Sequence, residues 1–446
     1  MAPPTPHPLV IECAYGTPRT NDSTDPGVDD LIAILLALAS PEVTLEAITL
    51  TFGNTTLDYA YSNMLRLAHA LEVTAEADPS LLGDTLRERV LHGIRGHPIP
   101  IALGATKPLG GKLFTASYFH GRDGMSGVSF LPEDPFPEAR SSQLFSATPS
   151  PLPADEQILD VLRKNPPHTV RIAAVAPLTN LASAFLKDPD TFRRVGMISV
   201  MGGALDVPGN TSPCAEFNFF ADPWAAKVIL EDAAAGGQPP LPVYLFPLDI
   251  TSTHTVPYST LVRDELDAFL EQNYLASMIS KFLRKPRAVT NSFAIAGTFD
   301  PAKHDLFQAH DPLAVAHAIF YNAHAKENAW KTTARAFLLE TDGVRTRGMC
   351  IVDRRDHGAA TTGRAKTDME AESGAHDEHG IAEDADAPRT QRAAAGAADG
   401  QRRDDGGKSA HASDKDAFAP VHVVTSTPGS DWFADMLLTR LRLPKV

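Results

Sequence analysis

The sequence predicts an α/β fold: a mostly parallel central sheet with helices on both faces. Two observations carry this. Short apolar runs alternate with longer helical patterns over most of the 446 residues, the order that builds a parallel sheet covered on both sides. A composition of 43% hydrophobic and 21% charged residues is that of an ordinary globular chain, long enough for one large domain or two smaller ones. In chain order, residues 9–11 read as a strand, 31–38 as a buried helix, 45–51 as a strand and 63–71 as a helix. Strands follow at 99–103, 170–175, 197–201 and 243–246, with helices at 158–162, 178–185 and 223–230 between them. A last strand at 421–424 and an amphipathic helix at 432–441 close the chain. No internal repeat interrupts this order.

Three stretches depart from it. Residues 13–23 and roughly 75–97 read as irregular insertions, and the Pro-rich 131–153 as a long surface loop. Residues 356–416 contain only two large apolar residues, Met369 and Ile381, among 14 acids and 8 bases. Such a stretch cannot bury enough apolar area to offset its ordering entropy, so it is expected to be a disordered acidic loop inside a single domain spanning 9–446.

Charge and composition exclude several classes. With 40 basic against 55 acidic residues, the net charge of −15 argues against a general nucleic-acid binder. No apolar run approaches the ~20 residues of a membrane span. Residues 1–8 lack the basic and apolar regions of a secretory signal, and three cysteines are too few for a disulfide framework. A cytoplasmic location is the expectation.

Thr24-Asp25-Pro26-Gly27-Val28-Asp29-Asp30 leads straight into the apolar run at Leu31. Three carboxylates thus gather where a strand hands over to a helix, the place where open α/β sheets bind ligands. Acids in a first helical turn also serve as caps. Three within six positions exceed one cap's needs, and hard oxygen donors of this kind suit Ca²⁺ or Mg²⁺. An EF-hand is excluded, because Leu31 to Leu36 fill the places of its later ligands. His310-Asp311 opens a second apolar helix with another acid. Asn210, Glu216 and Asn218, after the Gly-rich Met201-Gly202-Gly203, are apt for sugar hydroxyls, although ordinary Asx-turn chemistry also accounts for such loops.

Together with Thr51-Phe52-Gly53-Asn54, Ala102-Leu103-Gly104-Ala105, His120-Gly121-Arg122-Asp123-Gly124, Pro177-Leu178-Thr179-Asn180, Pro247-Leu248-Asp249-Ile250-Thr251 and Thr346-Arg347-Gly348, these blocks resemble, in order, the nucleoside hydrolases. That family comprises inosine/uridine-preferring, calcium-dependent N-ribohydrolases. The resemblance covers roughly residues 9–353 and the closing segment. It implies a Rossmann-like nucleoside hydrolase fold and hydrolysis of ribonucleosides to ribose and free base, by a calcium-bound water that an Asp activates. It implies Ca²⁺ on Asp25, Asp30, Asp311 and the carbonyl of Val175, with Asp25 also the general base. Asp29, Asn54 and Asn218 would hold the ribose 2′- and 3′-hydroxyls, and Asn210 and Glu216 its 5′ end. His310 would protonate or polarise the departing base, and His120 would lie near that base. The base-binding segment would be roughly residues 282–305, where Phe293, Phe299 and His304 are available to stack on the base, a core role being equally open to the two aromatics. Partners would be a small nucleoside and further copies of the chain, as a dimer or tetramer.

One departure stands out. The family carries another Asp two residues before the first acid of its motif, where this chain has Ser23; Glu12 and Asp22 are the acids at hand to replace it. Two other readings remain: a calcium-binding pseudoenzyme of the same fold, and a hydrolase of another N-riboside such as nicotinamide riboside.

Overall fold

The computed structural model describes residues 5–16, 28–114, 123, 125–131, 134–263, 268–294, 297–322, 329–354 and 420–444; of 14–16 and 54–56 it describes the backbone only. The strands are β1 (His7–Gly16), β2 (Val43–Thr56), β3 (Ile101–Leu103), β4 (Arg171–Ala174), β5 (Met197–Met201) and β6 (Val243–Phe246). They continue as β7 (Thr255–Pro257), β8 (Leu306–Gln308), β9 (Lys331–Arg335), β10 (Leu338–Leu339), β11 (Cys350–Ile351) and β12 (Val421–Ser426). Eight of them form one sheet in the order β3-β2-β1-β4-β5-β6-β12-β9. Every pairing in it is parallel except that of β12 with the edge strand β9.

Burial follows the pleat, since successive side chains on a strand face opposite ways. Leu9, Ile11 and Cys13 of β1 enter one core, with Ala173 of β4 and Met197 and Met201 of β5. Val10, Ile172, Ala174, Ile198 and Val200 enter the other. Helices α1 (Val28–Leu38), α2 (Leu57–Ala77) and α3 (Asp84–His92) cover the first face. The second is covered by α4 (Ala154–Lys164), α5 (Thr179–Lys187) and, after the short α6 (Phe217–Ala221), by α7 (Pro223–Leu230). Then come α8 (Tyr274–Phe282), α9 (Arg284–Ser292), α10 (His310–Phe320) and α11 (Ser430–Arg440). Ten of the eleven residues of α1 are buried, which is why its sequence is apolar all round rather than striped.

Three expectations change. β1 does not end at Ile11: it pairs with β2 as far as Gly16, so Cys13 is a strand residue and not the start of an insertion. The 75–97 stretch is largely helical, the end of α2 and then α3, which buries Leu86 and Val90 one turn apart. The 131–153 loop is anchored as well as exposed, with Phe136, Leu144 and Phe145 fully buried and Phe145 bridged to Ile99. Residues 355–419, which hold the stretch expected to be a disordered acidic loop, lie outside the described residues, as does 17–27.

The strand order locates the site. The chain builds β1, β2 and β3 outward in one direction, then returns to place β4 on the other side of β1. At such a reversal the connections leave in opposite directions and open a crevice at the carboxyl ends of the strands.

Candidate active site

Two helices deliver acids to that crevice. α1 carries Asp29 and Asp30 in its first turn, and α10 carries Asp311 in its own. The two helices pack against each other, so both positive dipole ends approach the same point. One ligand oxygen from each of Asp29, Asp30 and Asp311 falls within 4.8 Å of the other two. Asp30 has no exposed surface and Asp311 only 5%. Burial pushes Asp29 up to about 6, and its carboxyl is hydrogen-bonded to that of Asp311. Burial, then the charges of Asp29, Asp30 and Glu216, push Asp311 far above the usual carboxylate range.

The acids open onto a cavity of about 490 Å³, which Val175, Met201, Asn210, Glu216 and Asn218 also line. Val175 follows β4 directly, and its N–H donates to the Glu12 carbonyl at 3.0 Å. Glu216 is the N-cap of α6: Oε1 accepts from Asn218 N at 2.7 Å, and Oε2 from Phe219 N at 3.1 Å. Oε2 also accepts from Gly203 N at 2.9 Å, which ties the end of β5 to the loop. Gly203 holds φ at +80°, and a side chain on it would meet the Phe219 ring and Cys350 Sγ, so the turn there requires glycine. Asn210 Oδ1 accepts from Phe217 N at 3.0 Å, and Asn218 Nδ2 donates to Met201 O at 3.1 Å. Turn and cap chemistry therefore holds these three residues in place on the cavity wall.

The opposite sequence half supplies the remaining wall. β7 and β8 pair antiparallel, Thr255 with Gln308 and Val256 with Phe307, and this ribbon runs directly into His310. Arg287 of α9 grips Asp305 through both carboxylate oxygens, at 2.7 and 2.6 Å, and Asn291 adds a third bond at 2.9 Å. His310 Nδ1 lies 2.7 Å from Thr251 Oγ1. Burial lowers its pKa to about 4, so His310 is a neutral imidazole at pH 7, not a group poised near neutrality.

Comparison with known proteins agrees with this geometry. Residues 23–392 match the family model described as inosine-uridine preferring nucleoside hydrolase. The chain belongs to that family. It is 31% identical over 342 residues to the pyrimidine-specific ribonucleoside hydrolase RihA of Citrobacter koseri, covering 74% of this chain and 86% of the relative. An uncharacterized protein of Schizosaccharomyces pombe, C1683.06c, is 33% identical over 228 residues, 51% of this chain and 60% of its own. Among solved structures, an inosine-guanosine nucleoside hydrolase superposes with a TM-score of 0.62 at 22% identity, covering 98% of this chain and all of the other. A purine-preferring ribonucleoside hydrolase from Gardnerella vaginalis gives 0.59 at 20%, covering 97% and 98%. These two share the fold.

Within this nucleoside hydrolase, the structure brings Asp29, Asp30, Asp311, Val175, Asn210, Glu216, Asn218 and His310 to one cavity or its acidic floor. Asp25 and His120 lie outside the described residues, as does the Asn54 side chain on β2. The donor set fits a hard cation: three carboxyls this close repel one another unless a proton or a cation lies between them, and two already share a hydrogen bond.

Sequence reasoning missed the wall residues Ser252, Thr255, Tyr258 and Gln308, which no motif spacing marks. It left Thr251 without a role, although the Pro247–Thr251 block was the signal. Glu12, named only as a stand-in acid, is fully buried in the middle of β1. It accepts from Asn180 Nδ2 at 2.7 Å and from Thr49 Oγ1, and burial raises its pKa to about 8. Asn180 in turn accepts from Ala105 N at 2.8 Å, so Glu12 ties β1 to the start of α5 and, through it, to the loop after β3.

Proposed function

We propose that this chain hydrolyses the N-glycosidic bond of ribonucleosides to ribose and free base, with Ca²⁺ held by Asp25, Asp30, Asp311 and the carbonyl of Val175. The convergence of Asp29, Asp30 and Asp311 in the cavity lined by Asn210, Glu216 and Asn218 carries the reading. Calcium, when bound, supplies a fixed charge that orients the attacking water and lowers its pKa. Asp25 takes the proton of that water as its oxygen bonds to C1′ and the C1′–N bond breaks. Asp29, Asn54 and Asn218 hold the 2′- and 3′-hydroxyls, and Asn210 and Glu216 the 5′ end, keeping the sugar close to its oxocarbenium-like transition state. His310, neutral before the reaction, polarises the leaving base by a hydrogen bond with His120 nearby, and the proton that Asp25 takes from the water is the one that completes the free base. The enzyme would work in the cytosol in nucleoside breakdown and salvage, a setting that suits the free thiols of Cys13, Cys214 and Cys350.

The test is ribose release from inosine and from uridine, with calcium, with a chelator, and by Asp25→Ala. Release should vanish in the last two conditions. His310→Ala should lower kcat about 10²–10⁴-fold with little change in KM. Calcium binding without any release would instead mark a pseudoenzyme or a hydrolase of another N-riboside.

A further inference from the structure

We propose that His304 selects the base, donating a hydrogen bond from Nε2 to an exocyclic carbonyl oxygen and so favouring uracil and hypoxanthine over cytosine and adenine. This rests on the cavity being the nucleoside site. His304 is a half-buried residue of the cavity wall, immediately before Asp305, which Arg287 grips with both arms of its guanidinium. Its ring lies against that of Phe299, centroids 5.7 Å apart and 28° from parallel. Backbone and ring neighbours therefore hold it from two sides.

The position of its proton follows from the hydrogen bonds at Nδ1. That nitrogen lies 2.8 Å from the Asp300 N–H and 3.0 Å from the Asp300 carbonyl oxygen. The N–H can only donate, so it needs an acceptor. The carbonyl is already served, because it accepts from Lys303 N and His304 N, each at 2.9 Å. Nδ1 is thus the acceptor, and in the neutral ring the single proton sits on Nε2. An imidazole fixed in this tautomer offers a donor on the side away from the Asp300 backbone. It complements O4 of uracil or O6 of hypoxanthine and meets an amino group, itself a donor, in cytosine or adenine.

The experiment compares kcat/KM for two pairs that differ at one exocyclic group, uridine with cytidine and inosine with adenosine. Wild type should favour the oxo member of each pair by about 10-fold or more, the factor one such hydrogen bond provides. His304→Phe keeps the stack on Phe299 and removes the donor. It should bring both ratios near unity by lowering the oxo values alone. His304→Gln, which restores a donor, should recover part of the preference. Equal losses on all four nucleosides, or a wild type without preference, would overturn the assignment. If no nucleoside is hydrolysed, the proposed activity fails by itself. Calorimetric binding of inosine and adenosine to wild type and His304→Phe then decides the role of His304, and equal affinities in wild type would refute it.

Discussion

His317 lies in the middle of α10 with no exposed surface, its Nδ1 2.8 Å from Ser199 Oγ. Burial, and then the charge of Arg171, lower its pKa from 6.5 to about 3. The folded state therefore binds fewer protons than the unfolded state between those values, and the native protein loses stability as pH falls from 6.5 toward 3. Between pH 7 and pH 5 this residue alone should cost wild type up to about 2 kcal/mol relative to His317→Gln. Urea unfolding of both proteins at the two pH values measures the difference, which should move in favour of the variant on acidification. Glu12 obeys the opposite sign. Its raised pKa makes the folded state hold a proton that the unfolded state releases above about 4.5, so stability falls as pH rises toward 8. Glu12→Gln should gain on wild type over that window, by at least ~1 kcal/mol at pH 8 against pH 5.

The two helices that carry the acids are closed at their far ends by arginines. Arg89 of α3 donates to the carbonyls of Ala37 and Leu38 in the last turn of α1 and of Ser40 and Val43 just past it, at 2.5–3.0 Å. Arg171 of β4 donates to Ala318, Ile319 and Tyr321 at the end of α10, at 2.8–3.2 Å. Each guanidinium satisfies carbonyls that a helix end leaves without partners and sets a positive charge against the negative dipole end. The geometry of the acidic floor depends on where these helices start, so anchoring their far ends acts on the site through the length of each helix. Arg89→Ala should cost about 2–4 kcal/mol of stability by stranding carbonyls of four buried residues, Ala37, Leu38, Ser40 and Val43. Arg89→Lys should recover only part of it, because one ammonium cannot reach four acceptors in a fork. Thermal unfolding of the two variants distinguishes these outcomes.

At the scale of the whole molecule, alternating apolar runs were enough to read a parallel sheet with helices on both faces, because parallel strands are apolar on both sides. α3 escaped notice because only Leu86 and Val90 are buried along it, too few for a helical period to register. The acidic motifs were legible because Asp29, Asp30 and Asp311 each start a helix, where sequence spacing and spatial position coincide. The wall from the second half of the chain was legible only in part, since Ser252, Thr290 and Gln308 join His304 through the β7–β8 ribbon and the Arg287–Asp305 clamp rather than through any sequence spacing. Glu12 sits in no motif, and its contacts with Thr49 and Asn180 follow only from the pairing of β1 with β2 and β4. The acidic stretch at 356–416 follows every motif used in the site, so deleting it should leave ribose release and the unfolding midpoint unchanged, and a large loss of either would refute that.

The acidic floor formed by α1 and α10 is the proposed calcium centre. Titration calorimetry of Ca²⁺ into the full chain, beside Asp30→Asn and Asp311→Asn, tests it most directly. One calcium per chain in wild type, lost or weakened at least ~100-fold in each variant, is the result expected. No calcium binding by wild type, or binding that both variants retain, would contradict it.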